Sequence, residues 1–179
     1  MATNERFMPV APAAVWDALA DAGGYGYWVT GSKVIRDADA DWPAPGSRFH
    51  HTIGVGPLTV SDYTESLEAR PPELLRLRAK GRPLGTAQVT LEMTAADGGT
   101  IVRMTENPDG ATAVLALNPL VHLLTKARNA ESLMRLEELA LHRAPWPPAP
   151  SPAARSGSRP DHRSPSSRAS RRTCAPTSP

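Results

Sequence analysis

The long segment Pro119–Arg143, PLVHLLTKARNAESLMRLEELALHR, has apolar side chains at helical spacing. Apolar residues recur at i, i+3, i+4 and i+7, and charged residues of alternating sign lie on an opposite flank. At about 1.5 Å per residue the predicted helix is roughly 35 Å long, so it needs an extended apolar surface to cover it. The predicted inward stripe comprises Leu120, Leu123, Leu124, Ala127, Ala130 and Met134, widened by Leu133, Leu136 and Ala140.

The segments before this helix alternate between apolar and polar residues with a period of two, which predicts strands that bury one face. These segments include RFHHTIGV (48–55), QVTLEMT (88–94) and IVRMTE (101–106), and residues 58–69 and 74–80 lie between them. Turns are predicted at Gly56-Pro57, Pro71-Pro72, Gly81-Arg82-Pro83 and Asp97-Gly98-Gly99.

The chain begins with a short extended segment at residues 6–10 and a helix at residues 11–21, which Gly23-Gly24 ends. The predicted order is therefore a short strand, a helix, a meander of about six strands and the long helix. This order predicts an α+β fold in which a curved antiparallel sheet wraps around the C-terminal helix. A curved sheet that holds one long helix often fails to close against it, so we expect an apolar cavity between them.

Composition narrows the class of protein. The chain has 179 residues, a net charge of +2 and one cysteine, Cys174, near its end. Disulfides, thiolate metal clusters and a cysteine nucleophile are therefore not expected in the folded part. No apolar run approaches the roughly 18 to 20 residues of a membrane span, and the start MATNERFMPV lacks the pattern of a secretory signal, so we expect a cytoplasmic protein.

The last 36 residues differ from the rest in composition. Residues 144–179 hold nine of the 19 prolines and six arginines against one aspartate, and Trp146 is their single large apolar side chain. Such a segment cannot bury enough surface to offset its ordering entropy. We expect a folded domain at residues 1–143 and a disordered tail at residues 144–179. The arginines could bind phosphate non-specifically, but aromatic platforms are missing, and we expect no specific nucleic acid partner.

The order of elements and several local motifs together resemble one protein superfamily. The motifs are VWDALAD in the first helix, YGYW after it, the turn GVGPLTV, the strand entry PPELLRL, the hairpin GGTIVRMTE and ARNAESLMRLEELA in the last helix. They resemble the polyketide cyclase/dehydrase-type branch of the SRPBCC (START-like, helix-grip) superfamily. The resemblance implies a cavity between sheet and last helix that binds small apolar or aromatic molecules. Some members catalyse aromatisation or cyclisation, but no motif carries a catalytic residue over to this chain.

Motifs for cofactors and metals are weak, and we predict neither. The stretch Gly54-Val55-Gly56 has Thr59 where a dinucleotide fingerprint needs its third glycine. The acidic loop at residues 37–41 has Trp42 where a calcium loop needs glycine. His50 and His51 are neighbours on a strand and point to opposite faces, so they do not form a chelating pair.

The predicted cavity supplies candidate binding residues. His51 shares a face with Phe49, and it is either a core histidine or a polar contact to ligand. Tyr63 and Glu65 share a face of their strand; if that face is inward, acid/base chemistry beside His51 becomes possible, and if Asp62 and Thr64 point inward it does not. The candidate lining comprises Trp28, Phe49, His51, Tyr63, Val89, Leu91, Met104, Leu120 and Leu124.

Three functions follow from this interpretation. The first is binding of a small hydrophobic or aromatic molecule in the cavity. The second is a polyketide aromatase/cyclase or dehydratase-type enzyme in which His51, Tyr63 or Glu65 moves protons. The third is a protein-interaction module resembling a co-chaperone. The residues leave open whether any reaction is catalysed and whether the chain is a monomer or a homodimer.

Overall fold

The computed structural model describes residues 1–55, 58–81, 85–109 and 118–144. The turns predicted at Gly56-Pro57 and Gly81-Arg82-Pro83 include residues outside this range. Of the tail predicted at residues 144–179, residues 145–179 also lie outside it. Seven strands and two longer helices make up the described part. In chain order they are β1 (Ala2–Met8), α1 (Pro12–Ala20), a 3-10 turn (Ala22–Gly24), α2 (Tyr25–Trp28), β2 (Ser32–Ala38), β3 (Arg48–Val55), β4 (Leu58–Arg70), β5 (Leu74–Gly81), β6 (Gly85–Ala96), β7 (Gly99–Asp109) and α3 (Pro119–Arg143).

The strands form one antiparallel sheet in the order β1-β7-β6-β5-β4-β3-β2. Strands β2 to β7 are a meander, and β1 joins it at the far edge by pairing with β7. The chain between β1 and β2 therefore crosses from one edge of the sheet to the other, and this crossing contains α1 and α2. The sheet is curved and does not close, and the α+β fold class predicted from the sequence is confirmed.

Local sequence explains the tight hairpin between β6 and β7. Gly98 has a φ of +74°, which an L side chain rarely adopts. At Gly99 a Cβ atom would lie only 2.2 Å from the carbonyl oxygen of Met8 and 2.8 Å from the ring of Phe7. Glycine at residue 99 therefore allows β1 to pair closely with β7.

The hydrophobic core lies beneath the C-terminal half of α3. Leu133, Leu136 and Ala140 are buried there, where α3 packs against α1 and the sheet. The first helix packs on this core as well, and its buried side chains are Ala14, Val15, Ala18 and Leu19. Polar contacts hold α3 at its two ends. The Asn118 side chain accepts a hydrogen bond from the Leu120 amide at 2.9 Å, and Arg143 pairs with Asp21.

The rotation of α3 differs from the prediction. Leu120, Leu123 and Leu124 are 62%, 64% and 61% exposed, and Ala127, Ala130 and Met134 are exposed with them. At 100° per residue this stripe lies opposite the arc that contains Asn129, Ser132, Leu133, Leu136 and Ala140, all of which are buried. The packing of the C-terminal half against α1 fixes the rotation, and because α3 is one continuous helix its N-terminal half has the same rotation. The N-terminal half therefore turns polar residues toward the sheet.

No helix among the described residues is both long enough and apolar enough to cross a membrane.

Candidate ligand-binding cavity

A cavity of about 360 Å³ lies between the N-terminal half of α3 and the sheet. Its wall receives residues from every strand and from the connection between α2 and β2. The core under Leu133 and Leu136 fills the space at the other end of the helix. The helix is thus packed against its neighbours along one half and spans an open space along the other.

The sheet supplies the apolar side of this cavity. Leu77 on β5 pairs in register with Val89 on β6, and Ala79 pairs with Ala87 one step along the strands. Met104 on β7 points to the same face because it is two residues before Glu106, which pairs with Val89. All of these residues line the cavity. The small side chains of Ala79 and Ala87 leave room in front of the sheet.

An aromatic cluster closes one end of the cavity. The ring centroid of Tyr25 lies 4.8 Å from that of Trp28 and 4.6 Å from that of Phe49, and Trp42 packs edge-on against Phe49 at 4.8 Å. The Tyr25 hydroxyl donates a hydrogen bond to the carbonyl of Leu19 at 3.0 Å. Burial raises the pKa of this hydroxyl well above its ordinary value, so Tyr25 remains neutral. The rings form a rigid apolar wall.

His51 lies on the cavity wall beside this cluster. Its Nε2 is 3.3 Å from the Thr64 hydroxyl, and its ring packs edge-on against Phe49 at 5.3 Å. Burial lowers the pKa of His51, and the charge of Asp62 and a hydrogen bond to the Tyr63 backbone oppose only part of this effect. The imidazole is therefore neutral near neutral pH.

The helix side of the cavity is polar. Thr125, Asn129 and Ser132 line it from successive turns of α3. Ser132 also binds the α2–β2 connection, because its hydroxyl accepts a hydrogen bond from the Thr30 amide at 3.1 Å and lies 3.3 Å from the Thr30 hydroxyl. These bonds hold the connection against the helix where it forms part of the wall.

Two residues that line the cavity each have a buried N–H group with no hydrogen-bond partner among the described residues. These groups are the indole Nε1 of Trp28, a residue that is 1% exposed, and the amide Nδ2 of Asn129, a residue that is 0% exposed. The hydroxyl of Ser32, which also lines the cavity, is unpaired in the same way. Each buried unpaired donor costs about 1–3 kcal/mol, so native proteins hold few of them.

An ion pair lies at the mouth of the cavity. Glu106 Oε2 is 2.5 Å from Arg128 Nη2, and the Glu106 side chain is mostly covered while Arg128 is half exposed. Nearby, the ring Nε2 of His122 is 3.0 Å from the carbonyl oxygen of Met1. Because Glu106 and Arg128 neutralise each other, the mouth carries little net charge.

The structure brings five of the nine predicted lining residues to the cavity wall. They are Trp28, Phe49, His51, Val89 and Met104. Leu91 points to the same sheet face but is 0% exposed within the core beneath the other half of the helix. Leu120 and Leu124 were predicted to line the cavity but lie on the outer face of α3, because the packing of its C-terminal half fixes the rotation of the helix.

Tyr63 is also corrected, because it lies on the opposite face of the sheet. Its ring packs near His50 at 6.0 Å, and the Lys80 ammonium lies 4.3 Å from its centre. Glu65 shares this face and pairs with Arg48. Asp62 and Thr64 are the inward residues of β4, so the predicted combination of His51 with Tyr63 and Glu65 does not form.

Several lining residues were missed from the sequence. Leu77 and Ala79 have the same spacing as other inward strand residues, so the period of two could have identified them. Asn129 and Ser132 lie four residues before Leu133 and Leu136. They would have been identified if the inward face of the whole helix had been taken from Leu133, Leu136 and Ala140. Among the described residues, no group of three His, Cys, Asp or Glu side chains is placed to hold a metal ion.

The curved antiparallel sheet, the long C-terminal helix and the cavity between them define a helix-grip protein. The sequence also matches a family model over residues 2–140, which is most of the chain. The chain belongs to this family, which is described as polyketide cyclase/dehydrase and lipid transport. A search of curated proteins found no significant match.

Solved structures share the fold at low sequence identity. Ara h 8.0201 superposes with a TM-score of 0.63 at 18% identity, covering 78% of this chain and 96% of that one. Protein MLL2253 from Mesorhizobium loti gives a TM-score of 0.59 at 19% identity, covering 79% and 96%. The Aha1 dimer from Colwellia psychrerythraea gives 0.55 at 14% identity, covering 76% and 92%. At these identities the similarity shows the fold alone.

Proposed function

We propose that this domain binds a small hydrophobic or aromatic molecule in the cavity between the sheet and the C-terminal helix. The observation that carries the proposal is the cavity of about 360 Å³ with an apolar sheet side and an aromatic end wall. Ligand sites in proteins commonly have volumes of about 300–1,000 Å³ and mostly apolar walls with a few polar groups. Membership of a family described by polyketide and lipid chemistry supports the same proposal.

The unfilled space favours binding over the interaction-module alternative. A domain that used only its outer surface would gain stability by filling this region with larger side chains. Instead, alanines occupy positions 79 and 87 on adjacent strands where larger side chains would fill the space. The sequence thus keeps the cavity open at some cost in packing.

The enzyme alternative depends on His51, which lies beside Asp62 and Thr64. The enzyme predicted from the sequence places Tyr63 and Glu65 beside His51 as further proton-transfer groups. Tyr63 and Glu65 are on the other face of the sheet, and Glu106 is paired with Arg128. The described arrangement therefore supports binding better than proton transfer.

The proposal is tested by filling the cavity. Ala87→Phe should weaken binding of the uncharged dye Nile red by about tenfold or more, because the new ring occupies the space in front of β6. Leu124→Trp is the control, since it adds a ring on the outer face of α3 and should leave affinity unchanged. Wild-type protein should bind one dye molecule per chain in a fluorescence titration, with native far-UV circular dichroism in both variants. Loss of dye binding in Leu124→Trp but not in Ala87→Phe would place the site elsewhere and refute the proposal.

We further propose that the outer face of α3 associates with a second copy of this chain. Leu120, Leu123 and Leu124 form a contiguous apolar patch that is more than half exposed. Two identical stripes on helices can pack on each other across a two-fold axis. The Colwellia psychrerythraea structure with this fold is described as a dimer, which supports this assignment.

A further inference from the structure

The unpaired N–H groups of Trp28 and Asn129 carry an inference about the chemistry of the ligand. Both residues line the cavity, both are fully buried, and neither N–H has a partner among the described residues. They come from two elements, α2 and α3, that contact each other beside the cavity. A purely apolar occupant would leave both donors unpaired, whereas an occupant with a hydrogen-bond acceptor could pair with them.

The orientation of the Asn129 amide supports its role as a donor. Its Oδ1 is 3.4 Å from the guanidinium Nη2 of Arg128, and a guanidinium can only donate. The oxygen of the amide therefore faces Arg128, and the NH₂ group is the part that remains unpaired. The indole of Trp28 has a donor and no acceptor, so it also requires a hydrogen-bond acceptor on the ligand.

The charges around the cavity indicate that this ligand is neutral. Arg128 is paired with Glu106 at the mouth. Lys80 also borders the cavity, but its ammonium lies over the Tyr63 ring on the other face of the sheet. His51 is neutral because of its burial. A carboxylate in this cavity would therefore be buried without a free cation among these groups, which is unfavourable.

We propose that Trp28 and Asn129 form the hydrogen-bonding positions of the cavity and that they select an uncharged ring compound with a carbonyl-type oxygen over a hydrocarbon or an anion of similar shape. The inference rests on the proposed binding function and adds the chemical class of the ligand. The apolar sheet side holds the ring system, and the polar helix side holds its oxygen.

The test uses three probes of nearly the same shape: acetylnaphthalene, ethylnaphthalene and naphthoate. Competition with Nile red gives the affinity of each. The ketone should bind about two- to tenfold more tightly than the hydrocarbon, which corresponds to one or two net hydrogen bonds, and the carboxylate should bind most weakly. Asn129→Leu and Trp28→Phe should each reduce the preference for the ketone while affinity for the hydrocarbon is retained. Asn107→Leu, on the exposed face of β7, is the matched control.

A second measurement does not depend on the stability of these variants. The proton spectrum contains indole N–H signals from four tryptophans, and the signal lost in Trp28→Phe belongs to Trp28. The ketone should move this signal downfield and the hydrocarbon should not. If Trp28→Phe does not fold, the wild-type preference for ketone over hydrocarbon decides alone.

The outcomes separate this inference from the proposed function. Equal affinity for ketone and hydrocarbon in the wild type, or a preference unchanged in both variants, would overturn the inference and leave hydrophobic binding in place. Preferred binding of naphthoate would overturn the neutral-ligand part of it. Absence of binding by Nile red and by all three probes would overturn both the inference and the proposed function.

Discussion

At the scale of the residue, His50 and His51 show how far a period of two determines position. Neighbours on a strand point to opposite faces, so the pattern predicted one histidine inside and one outside. In the structure His51 lines the cavity beside Thr64, and His50 is exposed near Tyr63. The same pattern could not decide which face of the sheet Tyr63 occupies, because both faces of β4 carry polar residues in this region.

The pKa of His51 gives a prediction at this scale. The neutral imidazole is the form that suits the cavity, so affinity for Nile red should fall by up to about tenfold per pH unit once acid protonates His51. The free energy of unfolding should also fall as pH decreases below about 6.5, because the unfolded chain binds the proton first when the folded pKa is depressed. His51→Gln should flatten both profiles, and His50→Gln should not. Identical profiles in wild type and His51→Gln would remove His51 from the site.

At the scale of the element, α3 was predicted as a helix but with the wrong face inward. Its length, its Pro119 start and its place after the strands followed from the sequence. Its rotation did not, because two apolar arcs of comparable strength lie on opposite sides. The packing of α3 against α1, with Leu136 and Ala140 buried in the core, decides between them. Such tertiary contacts cannot be read from the period of one helix.

The substitution Leu123→Glu tests this rotation together with the proposed dimer. Leu123 is 64% exposed, so the chain should keep its fold and its far-UV spectrum. The carboxylates introduced on both copies would repel each other, and the dimer should dissociate to monomers in sedimentation velocity. Loss of the native far-UV spectrum in Leu123→Glu would show that Leu123 packs inward. A wild type that is already monomeric at high concentration would refute the second-copy proposal.

At the scale of the whole molecule, the order of strands and helices was predictable because turns and periods are local signals. The pairing of β1 with β7 across the sheet was not visible in the sequence, since it joins residues about a hundred positions apart. The size of the cavity was also not predictable. It depends on where the core ends along α3, which is set by all of the packed side chains together.

The domain boundary remains a prediction at this scale. The amide of Ala144 makes the last described hydrogen bond of α3, to the carbonyl of Ala140 at 3.0 Å. We expect a chain cut after Ala144 to unfold at the same Tm as the full chain, because the Pro-, Ser- and Arg-rich residues beyond it have little apolar surface to bury. Differential scanning calorimetry of both chains makes the comparison. A clearly lower Tm in the short chain would show that the tail stabilises the domain.

The central claim, that a ligand occupies the space between sheet and helix, is tested most directly by the methyl signals of the five methionines. Met104 lines the cavity, Met8 and Met93 are buried in the core, and Met134 is exposed on the outer face of α3. Addition of acetylnaphthalene should shift the Met104 methyl resonance through the ring current of the bound probe and leave those of Met93 and Met134 in place. Single Met→Leu variants assign the signals. A shift at Met134 with Met104 unchanged would place the ligand on the outer helix face and contradict the account.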